Sequence, residues 1–142
     1  MYTALDVAKY VIWYCAKQGY SVSNLKLQKM LYFIQADFLV NRSSRCFADK
    51  IEAWGLGPVV SSVYEEYKKY GSAEIPSTSC ETAPVKIRRT DQSRIKKIVD
   101  ECSRYTASAL VEITHKQEPW RRVYKKYENN EITVESIRAY FS

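Results

Sequence analysis

A mainly α-helical fold, a single compact helical domain of about seven helices with a small extended or β-hairpin element, is what this sequence predicts. Three observations carry the expectation. The chain has 142 residues, enough for one domain that buries roughly two-thirds of its unfolded surface without a metal or disulfide. Most apolar residues recur at helical spacing between capping residues. Only two short stretches, 46–54 and 86–89, read as extended. One domain is expected over 1–142, with no internal repeat and no low-complexity tract.

Thr3 is placed to cap a first helix, and Asp6 suits the positive end of its dipole. Leu5, Ala8, Val11, Ile12 and Cys15 then keep helical spacing until Gly19 ends the run. Ser23 caps a second helix reaching about Val40. Leu27, Met30, Leu31, Ile34 and Phe38 form one stripe on it, and Leu25, Tyr32 and Leu39 a second on the far side. A helix apolar on two faces is covered on both, so this one is expected at the centre. Beyond the loop residues Asn41, Ser43 and Ser44, short extended pieces are expected around Phe47, Ile51, Ala53 and Trp54.

Gly55 and Gly57 flank a turn, and Pro58 suits the first position of a third helix. Val60, Val63, Tyr64 and Tyr67 share a face of that helix, Glu65 can pair with Lys69, and Gly71 stops it. Residues 72–85 read as a surface loop, rich in Ser and Thr with Pro76 and Pro84. Lys86–Arg89 reads as a short strand. Ile95, Ile98, Val99 and Cys102 mark a helix capped by Thr90 or Asp91. Further helices are expected from Ser108 to before Pro119, over Trp120–Tyr127, and after a Thr133 cap with Val134, Ile137 and Phe141.

Apolar residues make up 46% and charged residues 27% of the chain, a globular balance that argues against a disordered or fibrous protein. Twelve tyrosines suit cores that reach the surface and contact faces alike. The net charge of +6 is spread along the chain without a basic tail. It permits an acidic protein or nucleic acid as partner and selects neither. Cys15, Cys46, Cys80 and Cys102 lie far apart, without the close pairs of a zinc site, and read as free thiols in a reducing compartment. Asp6, Lys9 and Lys17 interrupt the apolar residues near the N-terminus. No secretion signal or membrane span is therefore expected, and a cytoplasmic location is.

No catalytic, cofactor or metal site emerges. His115 is the single histidine, with Glu112 and Glu118 each three residues away. One histidine without a second ligand cluster reads as a structural or capping residue near a helix end. Gly55-Leu56-Gly57-Pro58 lacks the Gly-Lys-Ser/Thr ending of a phosphate loop, and its proline removes a backbone donor. The strongest basic window, Lys86–Lys97, holds Lys86, Arg88, Arg89, Arg94, Lys96 and Lys97 against Asp91. It reads either as a phosphate-contacting surface or as a helix whose Arg94, Lys96 and Lys97 face water. Lys26, Lys29 and Phe33 share a helix face and suit an acidic partner or stacked bases, or else their lysines merely snorkel. Lys26, Lys29, Phe33, Arg88 and Arg89 are the candidate partner-binding residues.

The most distinctive stretch is Asn24-Leu25-Lys26-Leu27-Gln28-Lys29-Met30-Leu31-Tyr32-Phe33, followed by Gln35. With Ile51-Glu52-Ala53-Trp54, Gly57-Pro58-Val59-Val60 and Val63-Tyr64 before Tyr67, it resembles the Panacea domain. That family, also called SocA-like or GepA-type, comprises antitoxins and phage-associated proteins. Thr114-His115, Pro119-Trp120 and Ile132-Thr133 extend the similarity over nearly the whole chain. The resemblance implies a non-enzymatic antitoxin that neutralises a toxin encoded nearby by direct binding. In one branch it implies an adaptor delivering the toxin to a Clp-type protease. The motif residues Asn24, Leu27, Gln28, Leu31, Trp54, Gly57, Pro58, Tyr64 and Tyr67 are expected to be structural. A nucleic-acid-binding regulator is the alternative of a different class.

Overall fold

The computed structural model describes residues 1–80 and 86–142. Helix α1 (Ala4–Gln18) begins at Thr3, whose Oγ1 accepts the Asp6 amide, and ends at Gly19 in the left-handed region (φ 75°). Helix α2 (Asn24–Asn41) starts where the Ser23 hydroxyl accepts the Lys26 amide. Both starts follow the sequence, because a hydroxyl before the first turn satisfies an amide with no intrahelical partner.

Helix α2 is the axis of the domain. Both of its stripes are covered, though not to the end: Leu27, Met30, Leu31, Tyr32, Ile34, Phe38 and Leu39 are all buried, while Leu25 in the first turn is half-buried. Around it pack α1, α3 (Ser61–Tyr67), α4 (Arg89–Cys102), α5 (Ala107–His115) and α7 (Val134–Phe141). The expected extended element is a three-stranded antiparallel sheet, with β1 (Ile51–Trp54) between β2 (Gly57–Val59) and β3 (Asn130–Ile132). Ala53 lies opposite Pro58 on one side and Asn130 on the other.

Several local expectations are corrected. Pro58 is not helical: it sits in the edge strand β2, where a missing amide is tolerated, and α3 begins three residues later. Glu65 pairs with Lys68 rather than Lys69, because α3 tightens into a 3₁₀ turn at Lys68–Tyr70 before Gly71. Lys86–Arg89 forms no strand; the third strand comes from Asn130–Ile132, and only Ile87 of that stretch is buried. Neither Thr90 nor Asp91 caps α4. Arg88 holds the cap position without a side-chain bond, and the Asp91 carboxylate instead accepts the Tyr2 hydroxyl. The helix expected over Trp120–Tyr127 is the single turn α6 (Glu118–Arg121). Asn130 takes the Val123 carbonyl at 2.7 Å, and Tyr127 adopts φ 67°, which no helix continues.

Of the expected loop at 72–85, residues 81–85 lie outside the described residues. The part before them is anchored: Ile75 is buried and its amide bonds the Val22 carbonyl at 2.8 Å. Ser77–Cys80 then forms a 3₁₀ turn against α1.

Polar pairs reinforce the helix packing. Arg94 of α4 grips Asp37 of α2 with two bonds, at 2.7 and 2.9 Å, so it is no part of a water-facing stripe. Tyr14 and Tyr20 both donate to Asp100 Oδ1 at 2.8 Å, tying α1 to α4.

Gly57 tests the account of the β1–β2 turn. It has φ 105°, and a Cβ there would stand 2.8 Å from Thr114 Oγ1 and 2.9 Å from Lys29 Cε. Gly19 is also left-handed but faces open space. Urea unfolding should show Gly57→Ala costing about 3 kcal/mol or more, and Gly19→Ala about 1 kcal/mol. Equal losses would refute the close approach at Gly57.

Candidate functional site

The motif of α2 is built around buried polar side chains. Gln28 Oε1 accepts the Val60 amide at 2.9 Å, while its Nε2 donates to Asn24 Oδ1 at 2.9 Å. Asn24 Nδ2 continues to the Tyr64 carbonyl at 3.2 Å. One turn along, Lys29 is completely buried and donates to the Pro58 carbonyl. Nearer the C-terminal end, Gln35 accepts the Cys46 amide at 2.8 Å and donates to the Phe47 carbonyl at 3.0 Å. These side chains replace water for irregular backbone that crosses the helix, the condition under which polar groups are tolerated in a core. Leu27, Leu31 and Tyr67 are buried beside them, and Trp54 meets Tyr64 edge-on with centroids 4.8 Å apart.

Lys29 is therefore corrected from a candidate contact residue to an internal anchor. Burial pushes its pKa down to about 7. The remaining candidates are not gathered into one place. Lys26 lines a depression with Ser23, Glu74 and Arg104. Phe33 lines an apolar groove of about 380 Å³ with Ile98, Tyr105, Ile113 and Phe141. Arg88 lines a third depression at the start of α4, and Arg89 is exposed nearby.

The structure instead concentrates uncompensated charge beside α6. His115, Trp120 and Tyr124 stack as a ladder, with centroids 4.0 and 4.5 Å apart and interplanar angles of 21° and 14°. The ladder is fixed to the β1–β2 turn: Trp120 Nε1 donates to the Trp54 carbonyl at 2.8 Å, and His115 Nε2 donates to the Gly55 carbonyl at 3.0 Å. The latter bond requires the proton on Nε2 and gives His115 the structural role read from the sequence. On that turn Leu56 is exposed, and Tyr127 beyond the ladder is 94% exposed. Lys116, Lys125 and Lys126 are exposed and have no salt-bridge partner among the described residues, while Arg121 and Arg122 share Glu118.

Sequence reasoning passed over this cluster. A signal was present, since residues 116–126 hold five basic residues against Glu118 alone. The window Lys86–Lys97 scored higher, but folding places Arg94 on Asp37, Lys86 4.0 Å from Asp6 and Arg88 3.7 Å from Asp91.

Among the described residues, no group of three His, Cys, Asp or Glu side chains could hold a metal ion. Cys15, Cys46 and Cys102 are free and buried. Burial raises the pKa of each, in Cys15 and Cys102 to about 12. No helix of the described residues is long and apolar enough to cross a membrane.

A central helix whose polar spine holds a Gly-Pro turn, with an aromatic ladder clamped to that turn, makes a small helical module. The chain belongs to the family described as Antitoxin SocA-like, Panacea domain, whose model matches residues 27–121. It is similar to Antitoxin SocA of Caulobacter vibrioides (strain NA1000 / CB15N), 28% identical over 128 residues, covering 82% of this chain and 68% of the relative. No solved structure gives a significant match.

Burial of Lys29 has a measurable pH signature. Its folded pKa lies below the 10.5 of the free side chain, so between pH 7 and 10.5 the unfolded chain binds more protons. The Lys29 contribution to stability must rise with pH across that window, while below it the full desolvation penalty is present. The buried thiols act in the opposite sense above about pH 8.5, where only the unfolded chain releases their protons. Urea midpoints should therefore correspond to a gain of roughly 1–2 kcal/mol between pH 7 and 8.5, and Lys29→Met should flatten the rise. A flat wild-type profile would contradict a buried, nearly neutral amine.

Proposed function

We propose that this protein is an antitoxin that neutralises a cognate toxin, encoded nearby, by direct protein–protein binding and without chemistry of its own. The observation that carries the reading is family membership over residues 27–121, the segment containing most of α2, the sheet hairpin, and His115 and Trp120 of the aromatic ladder. The toxin is expected to present an acidic surface to Lys116, Lys125 and Lys126, with Leu56 and Tyr127 as apolar contacts at either side. Such an arrangement of exposed apolar anchors within a charged rim suits a protein interface.

The central ring of the ladder is closed to nucleic-acid bases. Base stacking needs a free aromatic face, and Trp120 has one face against His115 and the other against Tyr124. Its indole N–H is likewise committed to the Trp54 carbonyl.

Growth after induction of each neighbouring gene, with and without this protein, tests the reading. One neighbour should be toxic alone and harmless in the presence of this chain, at unchanged toxin abundance. A toxin level that falls in a Clp-dependent way would replace simple binding by proteolytic delivery, and no toxic neighbour would overturn both. In the rescued pair, Lys125→Glu with Lys126→Glu should weaken binding at least about tenfold and leave the melting temperature nearly unchanged. Lys26→Glu and Arg89→Glu should leave both the binding and the melting temperature nearly unchanged. The opposite pattern would move the interface to the faces carrying Lys26 or Arg89.

A further inference from the structure

The C-terminal end of α2 and the N-terminal end of α4 meet at a depression of about 230 Å³. Tyr2, Phe38 and Asp91 line its inner part, and Arg42, Arg45 and Arg88 surround them. Asp91 is 6% exposed and accepts the Tyr2 hydroxyl. The guanidinium groups of Arg42 and Arg88 stand 3.5 and 3.7 Å from its two oxygens. Those distances are ionic contacts rather than hydrogen bonds, so most guanidinium N–H groups remain unused. Arg42 donates one to the Thr90 carbonyl at 3.0 Å, and Arg45 makes no hydrogen bond or ion pair among the described residues.

We propose that this depression is an anion site for a phosphomonoester dianion, held by Arg42, Arg45 and Arg88. Among the side chains that line it, three guanidinium groups against one carboxylate leave two positive charges, and a phosphomonoester carries about −1.5 to −2 at neutral pH. A monoanionic carboxylate would leave the site under-neutralised. Planar guanidinium forks match phosphate oxygens in pairs, which the point charge of lysine does not. Helix α4 runs 14 residues away from the depression, so its positive end adds to the attraction. The cavity is smaller than the roughly 300–1,000 Å³ of sites that enclose a whole small molecule. It takes the phosphate group and leaves the remainder of a small phosphorylated ligand at the surface. The assignment does not depend on the antitoxin reading.

An NMR titration of the intact protein tests it, using sodium phosphate, a nucleoside monophosphate and sodium acetate at constant ionic strength. Phosphate and the nucleotide should give saturable amide shifts centred on residues 42–45 and 88–91, and acetate should not. Tighter binding of the nucleotide would identify an organic phosphate as the ligand, and equal binding the phosphate group alone; both support the site. Affinity should fall roughly tenfold in Arg45→Gln with Arg88→Gln, with the rest of the spectrum unchanged because both side chains are exposed. Should that pair disturb the fold, Arg45→Gln alone should still weaken binding about threefold. No saturable shift up to about 20 mM phosphate, an equal response to acetate, or binding indifferent to Arg45 would overturn the proposal.

Discussion

A helix surrounded on all sides must serve the backbone that crosses it, and α2 does so with its own side chains. Gln28 and Lys29 hold the Gly57–Val60 segment, Asn24 reaches the Tyr64 carbonyl in the middle of α3, and Gln35 holds the Cys46–Phe47 corner. The groups met by Gln28, Lys29 and Gln35 are cut off from water, so an unmet one would cost roughly 1–3 kcal/mol. The spacing of Asn24, Gln28 and Gln35 keeps them on one side of the helix, while the leucines and Met30 fill the others. The sheet, the entry to α3 and the ladder on the β1–β2 turn all inherit their positions from this row.

Helix starts were legible in the sequence wherever a hydroxyl or a glycine acts locally. Thr3, Ser23 and Thr133 cap as their spacing indicates, and Gly19 and Gly71 end their elements. The centrality of α2 was legible too, because two apolar stripes have one physical meaning. Elements decided at long range were not. Asn130–Ile132 becomes a strand by meeting β1 across some eighty residues, and three residues carry no pattern of their own. Asp91 looked like a cap until Tyr2, far away in sequence, claimed its carboxylate.

The same limit governs the surface. A basic window measures charge along the chain, whereas a partner meets charge left over after folding. Arg94 disappears into a bidentate pair and Lys29 into the core. Lys116, Lys125 and Lys126 stay in water around aromatic rings that are already occupied with one another. Spacing alone grouped Lys26, Lys29 and Phe33, but one of the three points inward and the other two line different depressions.

The buried sulfhydryls carry a consequence for the lifetime of the molecule. In the native state Cys15, Cys46 and Cys102 are shielded, and their raised pKa values keep almost no thiolate at neutral pH. Oxidants and alkylating agents reach Cys15 and Cys46, each 1% exposed, only through openings of the core, so these two sulfurs are chemically silent until it breathes. The rate at which these sulfurs are labelled is accordingly a clock for core exposure. It runs independently of any partner that merely covers the outer face.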